Sequence, residues 1–136
     1  MSRVLLVLLL VLVLVLVASA ATPLAAQPPD ITGRWSGVWV SDKNGHTGPL
    51  HARVRPIDDD TYRVAFRGRF AKVIPFWYST RLDVVGAGDD VVVLAASRRL
   101  PLMGTYSTTA TATAADFDAA FTSRSDSGRF ILSRRR

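Results

Sequence analysis

Apolar and polar side chains alternate with a period of two residues through most of the chain from Trp35 to Leu132. The pattern is clearest between Tyr62 and Phe70, where the even-numbered positions are mostly large apolar residues and the odd-numbered positions are mostly arginines. We call these two alternating sets of positions the two parities of a strand. A period of two is that of a β-strand with one buried face, and no 12-residue stretch here carries a helical stripe. The chain also contains no Glu and only two Lys, so two strong helix formers are nearly missing. These features predict an all-β domain.

Turn signals divide this region into eight short predicted strands. An Asn-Gly pair at Asn44 and Gly45 follows the first strand, and Asp-rich or Gly-rich turns follow several others. The connections are too short for parallel crossovers, so we expect antiparallel strands. We predict an eight-stranded antiparallel up-and-down barrel, which has no exposed edges, with a two-sheet β-sandwich as the alternative. The predicted strands are 33–41, 49–57, 62–70, 73–85, 91–98, 104–114, 117–123 and 129–133.

The amino terminus has the three-part layout of a secretory signal peptide. Arg3 precedes an uninterrupted run of Val and Leu over 4–17, and the small residues Ala18, Ser19 and Ala20 follow. We predict a signal peptide over 1–20 with cleavage after Ala20, a disordered leader over 21–30 and the barrel over 31–136. The mature protein would then be secreted or periplasmic. An apolar segment retained as a membrane anchor is the alternative, and the absence of Cys excludes disulfides and a lipidated cysteine.

The first predicted strand opens with Gly33, Arg34 and Trp35. A Gly-x-Trp at this position resembles the start of lipocalin-type and avidin-type barrels, the calycins. In lipocalins this Trp closes one end of the barrel and packs under an Arg from the last strand. The resemblance therefore implies a calycin-like barrel in which Arg129 or Arg134 stacks on Trp35. It implies no particular ligand, because unrelated functions share one fold.

Large aromatic residues dominate the parity expected to face the barrel interior. Eight strands enclose a space that side chains can fill or that can hold one small ligand, and this many rings favours a mostly filled interior. A cavity of roughly 300 Å³ or more would favour ligand binding. The expected interior rings are Trp35, Trp39, Tyr62, Phe66, Phe70, Phe76, Tyr78, Tyr106, Phe117, Phe121 and Phe130. The candidate ligand-binding residues among them are Trp39, Tyr62, Phe66, Phe76, Tyr78 and Tyr106.

Arginines dominate the opposite parity of the second and third predicted strands. Like charges on neighbouring strands repel, so their clustering favours an anionic partner such as a lipid headgroup or an envelope polymer. The alternative is a solvated face that is rich in Arg through compositional bias. Trp77 shares the outward parity and is suited to a membrane interface or a protein contact. The candidate anion-binding residues are Arg53, Arg55, Arg63, Arg67 and Arg69.

The sequence carries no recognisable catalytic or cofactor motif. It lacks a Gly-x-Ser-x-Gly elbow and a Gly-rich phosphate loop, and its two His follow no metal-ligand spacing. We therefore predict no enzyme, cofactor, metal site or specific nucleic-acid partner. The expected function is binding of a small apolar or amphipathic ligand, or of an anionic envelope surface. An exported protein-binding module, such as an enzyme inhibitor, is the alternative; the oligomeric state stays open.

Overall fold

The computed structural model describes residues 2–18, 27–100 and 104–136. Within these ranges, eight antiparallel strands form a closed up-and-down barrel in which each strand pairs with the next and β8 pairs with β1. The predicted barrel is therefore confirmed, and the two-sheet sandwich is wrong. The strands are β1 Gly33–Ser41, β2 Thr47–Asp58, β3 Thr61–Phe70, β4 Ile74–Ala87, β5 Val92–Leu100, β6 Gly104–Ala112, β7 Asp116–Thr122 and β8 Ser127–Arg134.

A single helix precedes the barrel in the described part of the chain. Helix α1 spans Arg3–Ala18 and covers the apolar run. No helix of the described residues combines the length and the hydropathy needed to cross a membrane. The predicted cleavage site after Ala20 and most of the predicted leader, residues 21–26, lie outside the described residues. Residues 27–32 have no regular structure, although Ile31 is already fully buried against the barrel.

The alternation seen in the sequence is the alternation of sides in the barrel wall. Phe66 is buried and its neighbours Ala65 and Arg67 are exposed, as a strand with one interior face requires. The same rhythm runs along β2, where Leu50, Ala52 and Val54 face inward. Two of the apolar residues with inward parity, Phe70 and Ile74, are nevertheless 46% and 58% exposed. Phe70 ends β3 and Ile74 begins β4, so both lie at the end of the hairpin ladder, where the wall borders solvent.

One end of the barrel is sealed around Trp35, and we call it the closed end. The indole of Trp35 is fully buried, packs against Phe117 and donates a hydrogen bond to the backbone oxygen of Ile31 at 3.0 Å. The guanidinium of Arg134, near the end of β8, lies 4.4 Å above the Trp35 ring. Arg134 therefore takes the place that the calycin resemblance assigned to Arg129 or Arg134. Its three nitrogens also donate to the backbone oxygens of Asp30, Thr32 and Ala114, which ties both ends of the domain together.

Pairing between β4 and β5 covers only the half of the wall nearest the closed end. It runs from the pair Asp83–Ala95 to the pair Ala87–Val92, with an irregularity after Val84. In the other half, β4 pairs with β3 as far as Ile74, and β5 pairs with β6 as far as Leu100. In the half of the β3–β4 hairpin that is far from the closed end, β4 therefore has no ladder to β5. The pairing of β3 with β2 ends at Gly68.

Candidate functional site

The end opposite Trp35 opens into a cavity of about 350 Å³, and we call this end the mouth. Its volume falls in the usual range for small-molecule sites. Aromatic rings supply most of the lining, and Ser123 and Asp126 in the turn between β7 and β8 supply the polar atoms of the rim. The lining residues are Trp39, Phe70, Phe76, Tyr78, Tyr106, Phe121, Ser123, Asp126 and Phe130.

Five rings form a closed circuit around the wall, which we call the aromatic girdle. Its members, in order of contact, are Tyr106, Phe121, Phe130, Phe66 and Tyr78. Successive ring centroids lie 6.1, 5.1, 5.0, 5.9 and, back to Tyr106, 5.6 Å apart. These separations are those of favourable aromatic pairs, so each ring is held by two neighbours. The girdle is therefore a preformed apolar surface.

Three further rings, the rim cluster, extend the wall toward solvent on one side. The centroid of Phe70 lies 5.0 Å from Trp39 and 4.4 Å from Phe76, and Trp39 and Phe76 are 6.4 Å apart. The indole nitrogen of Trp39 donates to the backbone oxygen of Arg69 at 3.1 Å. Trp39 belongs to β1 and Arg69 to β3, so the indole crosses β2 to make this bond.

Glycines opposite these rings explain why the mouth is hollow. Gly48, Gly68 and Gly128 are the cross-strand partners of Trp39, Phe76 and Phe121, respectively. A Cβ atom on any of them would lie 2.6 Å from the partner's ring. Each aromatic side chain therefore lies flat across a glycine, a known way to cover a glycine in a sheet. Rings laid along the wall leave the space between them free at the mouth, while buried side chains fill the interior toward the closed end.

The polar rim is a small hydrogen-bonded turn. The hydroxyl of Ser41 donates to both carboxylate oxygens of Asp126, at 2.9 and 3.2 Å, and the backbone N–H of Ser127 donates to Oδ1 at 2.8 Å. Ser123 Oγ donates to the backbone oxygen of Asp126 at 2.8 Å. These bonds hold an acceptor group at the edge of the cavity. Deeper in the wall, burial raises the pKa of Tyr106, with a further contribution from nearby Tyr78, so its phenol stays protonated.

The six predicted ligand-binding residues lie in three different parts of the barrel. Trp39, Phe76, Tyr78 and Tyr106 line the cavity. Phe66 is buried in the girdle beside Tyr78 and Phe130 and is not part of the lining. Tyr62 lies near the closed end, as the cross-strand partner of Leu82, and does not reach the cavity. The other lining residues, Phe70, Phe121, Ser123, Asp126 and Phe130, were not among the predicted ligand-binding residues. The pairing of Phe121 with Gly128 depends on strand register, which the sequence alone does not give.

The five predicted anion-binding arginines all lie exposed on the outer wall. Register places Arg55, Arg63 and Arg81 side by side across three strands, and Arg53 faces Arg34 on β1. A second row holds His51, Arg67 and Trp77, while Arg69 is opposite Pro75. Among the described residues, no three His or Asp side chains lie close enough together to hold a metal ion.

Comparison with known proteins supports the architecture. No protein-family model matches the sequence, and no curated protein is significantly similar to it. A solved structure described as a redesigned beta barrel, b11L5F_LGL, superimposes with a TM-score of 0.56 at 16% identity, covering 78% of this chain and 91% of that one. A second redesigned beta barrel, mFAP1 bound to DFHBI, gives a TM-score of 0.55 at 16% identity, covering 77% and 94%. At this identity the likeness shows that the chain has the fold of a small closed β-barrel.

Proposed function

We propose that this chain is a non-enzymatic β-barrel that binds a small, largely apolar, ring-containing ligand in its mouth. The observation that carries the proposal is a cavity of about 350 Å³ that is lined by four rings of the aromatic girdle and by the three rings of the rim cluster. A preformed apolar pocket costs little ordering entropy when a ligand enters. The complex of mFAP1 with DFHBI, on a barrel of similar architecture, supports the idea that such a barrel accommodates a small molecule.

The chemistry of the lining defines the ligand further. Flat rings on the wall favour a planar apolar body, which can stack or pack edge to face against them. The carboxylate of Asp126 at the rim favours a neutral or cationic donor at the outer end of the ligand and disfavours an anionic group there. The ligand class is therefore an amphipathic molecule with an apolar ring system and a hydrogen-bond donor near the mouth.

Titration with the neutral fluorescent probe N-phenyl-1-naphthylamine tests this proposal. The full chain should enhance probe fluorescence with a saturable stoichiometry of one per barrel. Ser123→Trp places an indole at the lining of the cavity and should weaken binding at least tenfold. Ser133→Trp adds the same indole to an exposed outward position on β8 and should leave binding unchanged. Equal probe affinity in the two variants would contradict a binding site in the mouth. Residues 1–20 are common to both variants, so any probe that they bind adds equally to both titrations.

Export and calycin relationship form the second part of the proposal. The layout of residues 1–20 supports a signal peptide cleaved after Ala20, which would place the barrel in a secreted or periplasmic location. The stack of Arg134 on Trp35 supports the likeness to calycins. Amino-terminal sequencing of the protein recovered from its own cells tests the first point. A mature chain beginning at Ala21 is expected, and recovery of an intact Met1 terminus in the membrane fraction would overturn it.

A further inference from the structure

The end of the β3–β4 hairpin exposes a compact apolar surface beside the mouth. Val73 and Trp77 are 76% and 77% exposed, and Phe70 and Ile74 are also exposed. We call these four residues, together with Lys72 in the turn, the hairpin tip. Val73 and Trp77 have the outward parity of the hairpin, and Phe70 and Ile74 have the inward parity, so exposed apolar side chains lie on both faces of its end. Soluble proteins rarely expose large apolar side chains in a cluster unless the cluster contacts something.

The hairpin tip has no ladder partner on the strands that flank the hairpin. Beyond Gly68 the β3 strand has no register partner on β2, and β4 has none on β5 before Asp83. The tip is held by pairing between its own two strands, such as Phe70 with Ile74, and by Trp39, whose ring packs on Phe70 and whose indole nitrogen donates to the oxygen of Arg69.

A cationic band lies directly behind the apolar surface. Trp77 faces Arg67, which faces His51 on β2, and Arg69 is opposite Pro75. All of these side chains are exposed, and Lys72 stands at the turn itself. An apolar tip backed by cations matches a bilayer with anionic lipids, because the tip enters the interfacial region while the cations meet the headgroup phosphates. Trp is the side chain most suited to that interface.

We propose that the hairpin tip docks the barrel on an anionic lipid bilayer. Phe70 and Phe76 belong to the same hairpin and line the cavity, so docking brings the mouth to the membrane surface. The last step rests on the proposed function, since it gives an apolar ligand a route between bilayer and cavity that avoids water. The docking itself rests only on the exposed tip and its charges.

Depth-dependent quenching of Trp77 by brominated lipids tests the docking. The full chain contains three tryptophans, and Trp35 and Trp39 are buried, so quenching reports chiefly on Trp77. Helix α1 contains no Trp, and any membrane binding by α1 is common to all variants. Quenching is expected with vesicles of phosphatidylcholine and phosphatidylglycerol at a molar ratio of about 7:3. It should be several-fold weaker with phosphatidylcholine alone.

Two double substitutions to Asp test whether the quenching depends on the hairpin tip or on exposed apolar residues elsewhere. V73D/I74D should abolish the quenching, while I57D/V85D, which changes two exposed apolar residues near the closed end, should retain it. R67E/R69E provides a second tip-side variant that leaves the apolar residues in place and should reduce quenching on anionic vesicles. Near-ultraviolet circular dichroism checks that each variant is folded.

Two outcomes would overturn the proposal. One is unchanged Trp77 emission on brominated vesicles of either composition. That result would reject lipid docking and would favour a protein as the partner of the hairpin tip. The other is equal loss of quenching in V73D/I74D and I57D/V85D. The probe titration in solution is independent of vesicles. Failure of probe binding with intact docking would therefore reject only the ligand, and the reverse result would reject only the membrane contact.

Discussion

Phe76 lies across Gly68, its partner on the adjacent strand, so closely that a Cβ atom at position 68 would be 2.6 Å from Cζ of the ring and 2.7 Å from the backbone oxygen of Pro49. A Cβ atom at position 68 would therefore displace the ring of Phe76 and also force the backbones of β2 and β3 apart. The same arrangement at Gly48 and Gly128 indicates that the width of the mouth depends on residues with no side chain.

Gly68→Ala should therefore both destabilise the barrel and alter the cavity. We expect a loss of about 1–3 kcal/mol in the free energy of unfolding, the range for overpacking. We also expect weaker binding of N-phenyl-1-naphthylamine, because Phe76 must move into the cavity or out of the wall. Urea denaturation and probe titration measure the two effects. Gly86→Ala on β4 is the control, because its nearest neighbour would be 3.7 Å away, and both measurements should then change little.

Arg134→Ala should open the closed end. The variant loses a cation–π contact with Trp35 and hydrogen bonds to three backbone oxygens. We expect a loss of about 3 kcal/mol, from roughly 1 kcal/mol for the cation–π contact and roughly 2 kcal/mol for charge-assisted hydrogen bonds. Thermal unfolding followed by circular dichroism measures it. Arg136→Ala removes an equal charge from an exposed position, and a similar loss in that variant would contradict a specific role for Arg134.

Asp30 should make a small contribution to stability that depends on pH. The backbone N–H of Thr32 donates to its carboxylate at 2.9 Å, and this bond, with the hydroxyl of Thr32 and the charge of Arg134, lowers the pKa of Asp30 below its ordinary value of 3.8. A lowered folded-state pKa means that the contribution is complete above the unfolded pKa and is lost as the pH falls through the folded pKa. The carboxyl is exposed, so we expect well under 1 kcal/mol.

Asp30→Asn isolates that contribution, because the amide oxygen can still accept from Thr32. The difference in unfolding free energy between the natural chain and the variant should be constant from about pH 7 to pH 5 and should shrink toward pH 3. A difference that stays constant over the whole range would show that Asp30 titrates alike in the folded and unfolded chains.

Thr108→Val should stabilise the protein. Oγ1 of Thr108 is buried in the wall and, among the described residues, makes no well-formed hydrogen bond, although the phenol of Tyr106 is close enough to interact with it. Removing an unpaired buried hydroxyl while keeping the shape of the side chain relieves its desolvation penalty, so we expect a gain of about 1 kcal/mol. Thr111→Val, at an exposed position of the same strand, should be close to neutral. A loss of stability in the Thr108 variant would indicate that the hydroxyl is hydrogen-bonded in solution.

The turn of the hairpin tip should respond to residues that tolerate positive φ. Ala71 and Lys72 have φ of 48° and 63°, and the N–H of Val73 bonds to the oxygen of Phe70 at 3.1 Å. Two left-handed central residues resemble a type I′ turn, for which Asn-Gly is preferred. The double change A71N/K72G should therefore raise the free energy of unfolding by about 1–2 kcal/mol. If the tip docks on lipid, the loss of Lys72 should at the same time weaken binding to anionic vesicles.

Parity along each strand made most of the fold predictable, because the side chain of every second residue faces the same side of a wall. Buried Phe66 beside exposed Arg67 is the direct outcome. Parity does not say how high a residue stands in the barrel. Tyr62 and Tyr78 have the same inward parity, yet Tyr62 lies near the closed end and Tyr78 lines the mouth.

The hollow mouth depended on register between strands, which a single sequence does not reveal. In the structure Gly68 and Gly128 each accommodate a ring from the neighbouring strand, Phe76 and Phe121 respectively. Phe70 was expected inside on parity alone, but β2 offers it no partner at that height, and it stands at the rim.

The pairing of β8 with β1 has a consequence for the way the barrel is completed. Until residues 127–134 take their place, β1 and β7 both present open edges, and the seal over Trp35 lacks its guanidinium. The partners that close the ring are about a hundred residues apart in the chain, so the slowest and most entropy-demanding contact is also the final one. Chains that have not yet added this strand should therefore remain open barrels with two unpaired strand edges, and these edges should promote aggregation between such chains.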